Sequence, residues 1–123
     1  MPEAIAPELM DRYRSTARAR QRDHDAETDR YRKMAWTAAR EAARVLREGF
    51  GATRVIAFGS LAHGAWFSSH SDVDLAVEGI PPDAFWRAWC ALDRLGTGVE
   101  IDLIAIESAP ARLRAEIEQG VAV

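Results

Sequence analysis

The spacing of hydrophobic positions changes part-way along the chain. From Glu8 to Glu48 there is neither glycine nor proline, and alanine, arginine and glutamate predominate, so this stretch is predicted to be helical. Pro7 suits a first helical turn, and Gly49 or Gly51 suits a terminus. As one rod the segment would run about 60 Å, roughly twice the width of a domain of this size, so it must overhang or break. Only its last part is amphipathic. Tyr31, Met34, Ala35, Ala38, Ala42, Val45 and Leu46 form a stripe suited to packing on a sheet. Between Arg14 and Arg30 the only apolar residues are alanines, and no heptad is sustained, which predicts a solvated helix or a frayed turn near Arg22–Asp25. Ile5, Leu9, Met10 and Tyr13 at the start of this arm offer a surface for a partner or for a second copy of the chain, a possible homo-oligomer.

Past residue 50 the period shortens to two. Strands are predicted over 53–58, 72–78 and 98–106, with helices over 82–95 and 110–119; Gly79-Ile-Pro-Pro and Gly96-Thr-Gly98 punctuate them. Three strands interleaved with helices give an α/β fold, a small mixed β-sheet with helices packed on one side, preceded by a long N-terminal helical arm. The chain divides into residues 1–48, arm and packing helix, and residues 49–123, the sheet-containing domain.

Composition narrows the classes. With 123 residues and a formal net charge of -3, the chain suits a single core and carries no general basic footprint, so nucleic acid is not expected as a partner. Arginine crowds the first forty-odd residues while the remainder is acid-rich, which marks the arm as a distinct surface. The single cysteine, Cys90, excludes an internal disulfide and is expected to pack in the core among Phe85, Trp86, Trp89 and Leu92. No apolar run approaches membrane length and no signal peptide is recognisable, so a cytoplasmic protein is expected, without membrane association.

The chemistry concentrates between Phe58 and Val77. Gly59 and Ser60 fall where the first strand must turn; glycine leaves room for a phosphate to approach the main chain, and the serine supplies a hydroxyl and an amide. Asp72 and Asp74, one residue apart on a strand, share one face. Two hard oxygen ligands next to a phosphate-holding turn suit Mg²⁺ and a nucleoside triphosphate. A third acid, Asp102, lies on the last strand, sharing a face with Glu100 and Ile104. Burying its charge requires compensation, which a metal shared with Asp72 and Asp74 would supply. His63 and His70 flank the loop, but the hard oxygen set favours magnesium over a histidine-ligated transition metal. Trp66-Phe67 in the same loop can stack on a base or anchor the loop to the core, the anchor being the plainer role.

Gly59-Ser60, Gly64, Ser71-Asp72-Val73-Asp74-Leu75 and Asp102 resemble the signature of the polymerase-β-type nucleotidyltransferases, especially their minimal branch. The resemblance extends from about Thr53 to the C-terminus, including the closing Glu-Gln-Gly-Val. It implies the nucleotidyltransferase fold for residues 49–123, two Mg²⁺ ions held by Asp72, Asp74 and Asp102 as catalytic acids, and a triphosphate gripped at Gly59 and Ser60. It also implies an enzyme that passes a nucleoside monophosphate, AMP from ATP, to a hydroxyl on a partner protein: the antitoxin of a toxin–antitoxin pair whose toxin is of the HEPN type. The alternatives are a small-molecule, antibiotic-type nucleotidyltransferase and a non-catalytic partner-binding module. Two departures stand out. The Ser60–Asp72 stretch is one residue longer than is typical of the minimal proteins, and His63 stands where arginine is frequent.

Overall fold

The computed structural model describes residues 6–123, so Ile5 of the arm lies outside the described residues. Helix α1 runs unbroken from Pro7 to Phe50, about 66 Å of rod at 1.5 Å per residue. The expected weak point at Arg22–Asp25 is continuous helix, supported there by a Gln21 to Asp25 side-chain hydrogen bond one turn apart. The helix ends as Gly51 takes a left-handed conformation and the Ala52 N–H donates to the Leu46 carbonyl.

Four strands follow, with order β3-β2-β1-β4: β1 Arg54–Phe58, β2 Val73–Glu78, β3 Ile101–Ala105 and β4 Val121–Ala122. Strands β1 and β2 are antiparallel, β2 and β3 parallel, and β4 returns antiparallel to β1, giving the expected mixed sheet. The last strand is an addition to the sequence reading. At Gly120 the chain comes so close to the Ala57 carbonyl that a Cβ could not be placed, so glycine is what admits β4 to the sheet. A short helix, α2 (Ser60–His63), stands where a loop was expected. The later helices are α3 (Pro82–Asp93) and α4 (Ala111–Glu118), with one 3-10 turn at Ile106–Ser108.

The two sheet faces bury different partners. Val55, Ala57, Val73, Leu75, Val77, Ile101 and Leu103 pack with Ala88 and Leu92 of α3 and with Ala35, Ala38, Ala39, Ala42, Ala43 and Leu46 of α1. Alanine's small side chain brings the α1 backbone close to the sheet. Met34, expected on this stripe, is 41% exposed instead. Packing therefore runs across the division at residue 48, because the second half of α1 shares one core with the sheet. Ile56, Phe58 and Ala76 face the other way, onto Ile106, Ala109 and Ile117. The helices on one side are thus α1 and α3, while the short α4 covers part of the opposite face. Strand alternation places Asp74 and Asp102 on that second face, where both remain partly exposed.

Candidate active site

Strand β1 ends at Phe58, and the chain turns at Gly59 with φ 74° and ψ -152°. A side chain is excluded there on two grounds: the backbone conformation favours glycine, and a Cβ would lie 2.6 Å from Asp74 Oδ2. Ser60 opens α2, and its carbonyl accepts the Gly64 N–H at 2.8 Å, closing the short helix. The antiparallel register sets Phe58 opposite Asp74, and the parallel register sets Asp74 opposite Asp102. Gly59, Ser60, Asp74 and Asp102 are thereby gathered at one end of one sheet face. Asp72 sits one residue before β2 and is exposed.

These carboxylates act on one another. Burial is the largest influence on Asp74 and, with the negative charges of Asp102, Asp72 and Glu116, pushes its carboxyl from 3.8 up to about 6. Asp102 is raised by burial and then by Asp72. The four ion pairs among the described residues all lie elsewhere, so no arginine or lysine is paired with these acids. Repelling carboxylates without a cation are the electrostatic setting in which a divalent ion is favoured. Among the described residues no three His, Cys, Asp or Glu side chains converge into a ready-made cage. Two oxygen donors in register, Asp74 and Asp102, beside a turn open to phosphate match magnesium, which is held by one or two carboxylates together with substrate phosphates. The donor set fits the ion.

A sequence profile described as the nucleotidyltransferase domain matches residues 39–122. The chain belongs to this family. Among solved structures, a chain provisionally described as a minimal nucleotidyltransferase is 34% identical with a TM-score of 0.55, covering 72% of this chain and 90% of that one. A tyrosine-to-alanine mutant of the MntA–HpeT toxin–antitoxin complex matches at 25% identity and TM-score 0.56, covering 68% of this chain and 69% of that one. A toxin–antitoxin structure with AMP-PNP matches at 25% identity and TM-score 0.54, covering 65% and 67% respectively. The chain thus falls in the minimal branch of the nucleotidyltransferases. No curated protein matches the sequence significantly.

Several expectations change on this nucleotidyltransferase scaffold. Glu100 lies one residue before β3, and its carbonyl accepts the Val73 N–H at 2.8 Å. Trp66 and Phe67 part company: Phe67 packs into the core, whereas Trp66 is 95% exposed with φ 62°. His63 turns back on its own loop, its Nδ1 accepting the Ala65 N–H at 3.3 Å. Cys90 is half-buried rather than a core thiol, because Ala88 and Leu92 form the inward stripe of α3. It lines a crevice of about 260 Å³ with Trp86, Trp89 and Asp102. A larger concavity, about 580 Å³, lies elsewhere, along β3 and the aromatic side of α3, and contains none of the three acids. Size does not locate this site; the gathered acids do. Two neighbours escaped the sequence reading. Glu116 of α4 adds negative charge near Asp74, and Tyr31 of α1 donates to the Ser71 carbonyl at 2.7 Å. No local pattern signals either approach.

Proposed function

We propose that this nucleotidyltransferase moves AMP from ATP to a hydroxyl side chain of a HEPN-type toxin, and that it acts as that toxin's antitoxin. The observation carrying the proposal is the register of Asp74 opposite Asp102, with Asp72 two residues along and no cation paired with any of them. In this reading Asp72, Asp74 and Asp102 hold Mg²⁺. When bound, the ion supplies neutralisation of phosphate charge. The Gly59 turn lets the triphosphate approach the main chain, and Ser60 holds it with hydroxyl and amide. The acceptor oxygen attacks the α-phosphorus as the bond to the bridging oxygen breaks, and pyrophosphate leaves. The acceptor's proton passes to solvent, and Asp102, in register with Asp74 on the neighbouring strand, completes the carboxylate set.

The 25%-identical toxin–antitoxin structures, one of them with AMP-PNP, support the choice of partner and nucleotide. A small alcohol as acceptor fits less well. Asp72 is exposed and Asp74 and Asp102 are partly exposed, so the acids stand on an open surface with little to enclose a small molecule. A protein acceptor brings its own second wall. The test is intact-mass spectrometry of a co-expressed helical partner after incubation with ATP and Mg²⁺, where one or more added AMP groups are expected. An unmodified partner, together with labelling of an aminoglycoside or other small alcohol, would overturn the proposal.

A further inference from the structure

Asp74 and Asp72 are held by different means. Asp74 lies inside β2, paired in register on both sides, with Phe58 on β1 and Asp102 on β3. Asp72 lies just before the strand, where the final rung is the Val73 N–H to the Glu100 carbonyl. The segment leading into it, from Gly64 to Ser71, has no regular secondary structure.

What secures that segment comes from α1. The Tyr31 hydroxyl donates to the Ser71 carbonyl at 2.7 Å, and this carbonyl belongs to the same peptide plane as the Asp72 N–H. The Tyr31 ring lies 5.8 Å from that of Phe67, the segment's buried anchor, and the Arg32 guanidinium stands 5.0 Å over the same Phe67 ring. Within the segment, the Ser68 N–H donates to Ser71 Oγ at 2.9 Å and the Ser71 N–H to the Ser68 carbonyl at 3.1 Å. The turn is thus internally rigid and tied to α1 at its two ends.

We propose that Tyr31 is a positioning residue for Asp72: by fixing the Ser71–Asp72 peptide plane it aims a carboxylate that no strand ladder holds. The proposal rests on the metal-binding role given to Asp72 above. It assigns α1 a place in the active site, through a residue that precedes the span matched by the family profile. A supporting shell of this kind commonly changes metal affinity about 10- to 100-fold when removed.

Tyr31→Phe removes the hydroxyl and keeps the ring. Binding of Mn²⁺ in the presence of a non-hydrolysable ATP analogue, followed by electron paramagnetic resonance, should weaken roughly tenfold. The melting temperature should move by less than about 4 °C, the shift of one modest hydrogen bond. Val77→Ala should do the converse, lowering the melting temperature while leaving Mn²⁺ affinity within about twofold, since it opens the core at the far end of β2 and leaves the Ser71–Asp72 peptide and its hydrogen bond in place. In an Asp72→Asn background, Tyr31→Phe should cause no further loss, because its effect passes through Asp72. Wild-type Mn²⁺ affinity in Tyr31→Phe, or an equal additional loss in the double variant, overturns the positioning role while leaving the metal site intact. Equal Mn²⁺ binding by the wild type and Asp74→Asn would instead overturn the metal reading on which it rests.

Discussion

The two faces of this sheet are built from the same strands and obey opposite rules. On one, Val55, Ala57, Val73, Leu75 and Val77 meet the alanine stripe of α1, and every side chain is apolar and buried. On the other, the same alternation that buries Leu75 presents Asp74 against Asp102, with burial and like charge raising both carboxyls. The first face supplies stability through area removed from water. The second buries Ile56, Phe58 and Ala76 as well, but gives stability up at its acid end, where carboxylates are half-buried without a paired cation. Face one therefore offsets the strain of face two, and substitutions should act in opposite directions on either side of a single strand.

The largest effect is expected at Asp74. Replacing it with Asn should lower nucleotidyl transfer by roughly 10³-fold, about 4 kcal/mol of barrier, since positioning and charge neutralisation supply most of the catalysis in such a site. The same variant should be no less stable than the wild type. Circular dichroism melts and a transfer assay on one preparation check both halves; a destabilised Asn variant would mean that Asp74 holds the fold together. One residue along, Leu75→Ala should show the mirror image. A fully buried leucine replaced by alanine costs roughly 2–5 kcal/mol through lost burial and the cavity left behind. Urea denaturation should show that loss, and whatever protein stays folded should transfer at an undiminished rate.

The pH dependence sharpens the contrast. Asp74 has a folded-state value of about 6 against 3.8 ordinarily, so between those values the folded chain holds a proton that the unfolded chain has released. Stability from this group therefore rises as pH falls from about 6 towards about 4, and is lost as pH rises through about 6. With a half-exposed site screened by water, the difference amounts to about 1–2 kcal/mol. In metal-free buffer, Asp74→Asn should be more stable than the wild type at pH 8, and the gap should close near pH 4. A gap independent of pH would show that the acid's charge is not what destabilises this face.

The apolar face was the more legible of the two in the sequence. The β-branched and aromatic run Arg54–Phe58 and the alternation in Asp72–Val77 announce buried strands, and the stripe on α1 announces its covering helix. The acids were legible as well, because Gly-Ser and Asp-Val-Asp lie close together in the chain. What could not be read is how distant segments meet. Asp102 was expected beside Asp72 and Asp74, but not its parallel register; that Tyr31 reaches Ser71 from the N-terminal helix and that Glu116 of α4 approaches Asp74 left no trace in the sequence. Strand β4 escaped for another reason: two exposed residues, Val121 and Ala122, carry no alternation, and only the close approach at Gly120 accounts for their pairing.

The smallest effect should come from the part of the molecule that joins neither face. From Pro7 to Arg22 no residue of α1 is buried, so removing residues 1–24 deletes helix without deleting core. Tyr31 would keep more than a turn of helix ahead of it, enough to spare its hydrogen bond from terminal fraying. The truncated chain should melt within about 2 °C of the full one and bind Mn²⁺ with the nucleotide analogue equally well. An isolated helical overhang is marginal in water, so its persistence at this length needs something to hold it. The missing stretch carries Leu9 and Tyr13, 42% and 60% exposed, and the expected defect is loss of association with the partner protein or with a second copy. Sedimentation of the truncated and full chains, alone and with the partner, would register that loss. A truncated chain that unfolds as readily as Leu75→Ala would instead show that the apolar face extends its support along the whole of α1.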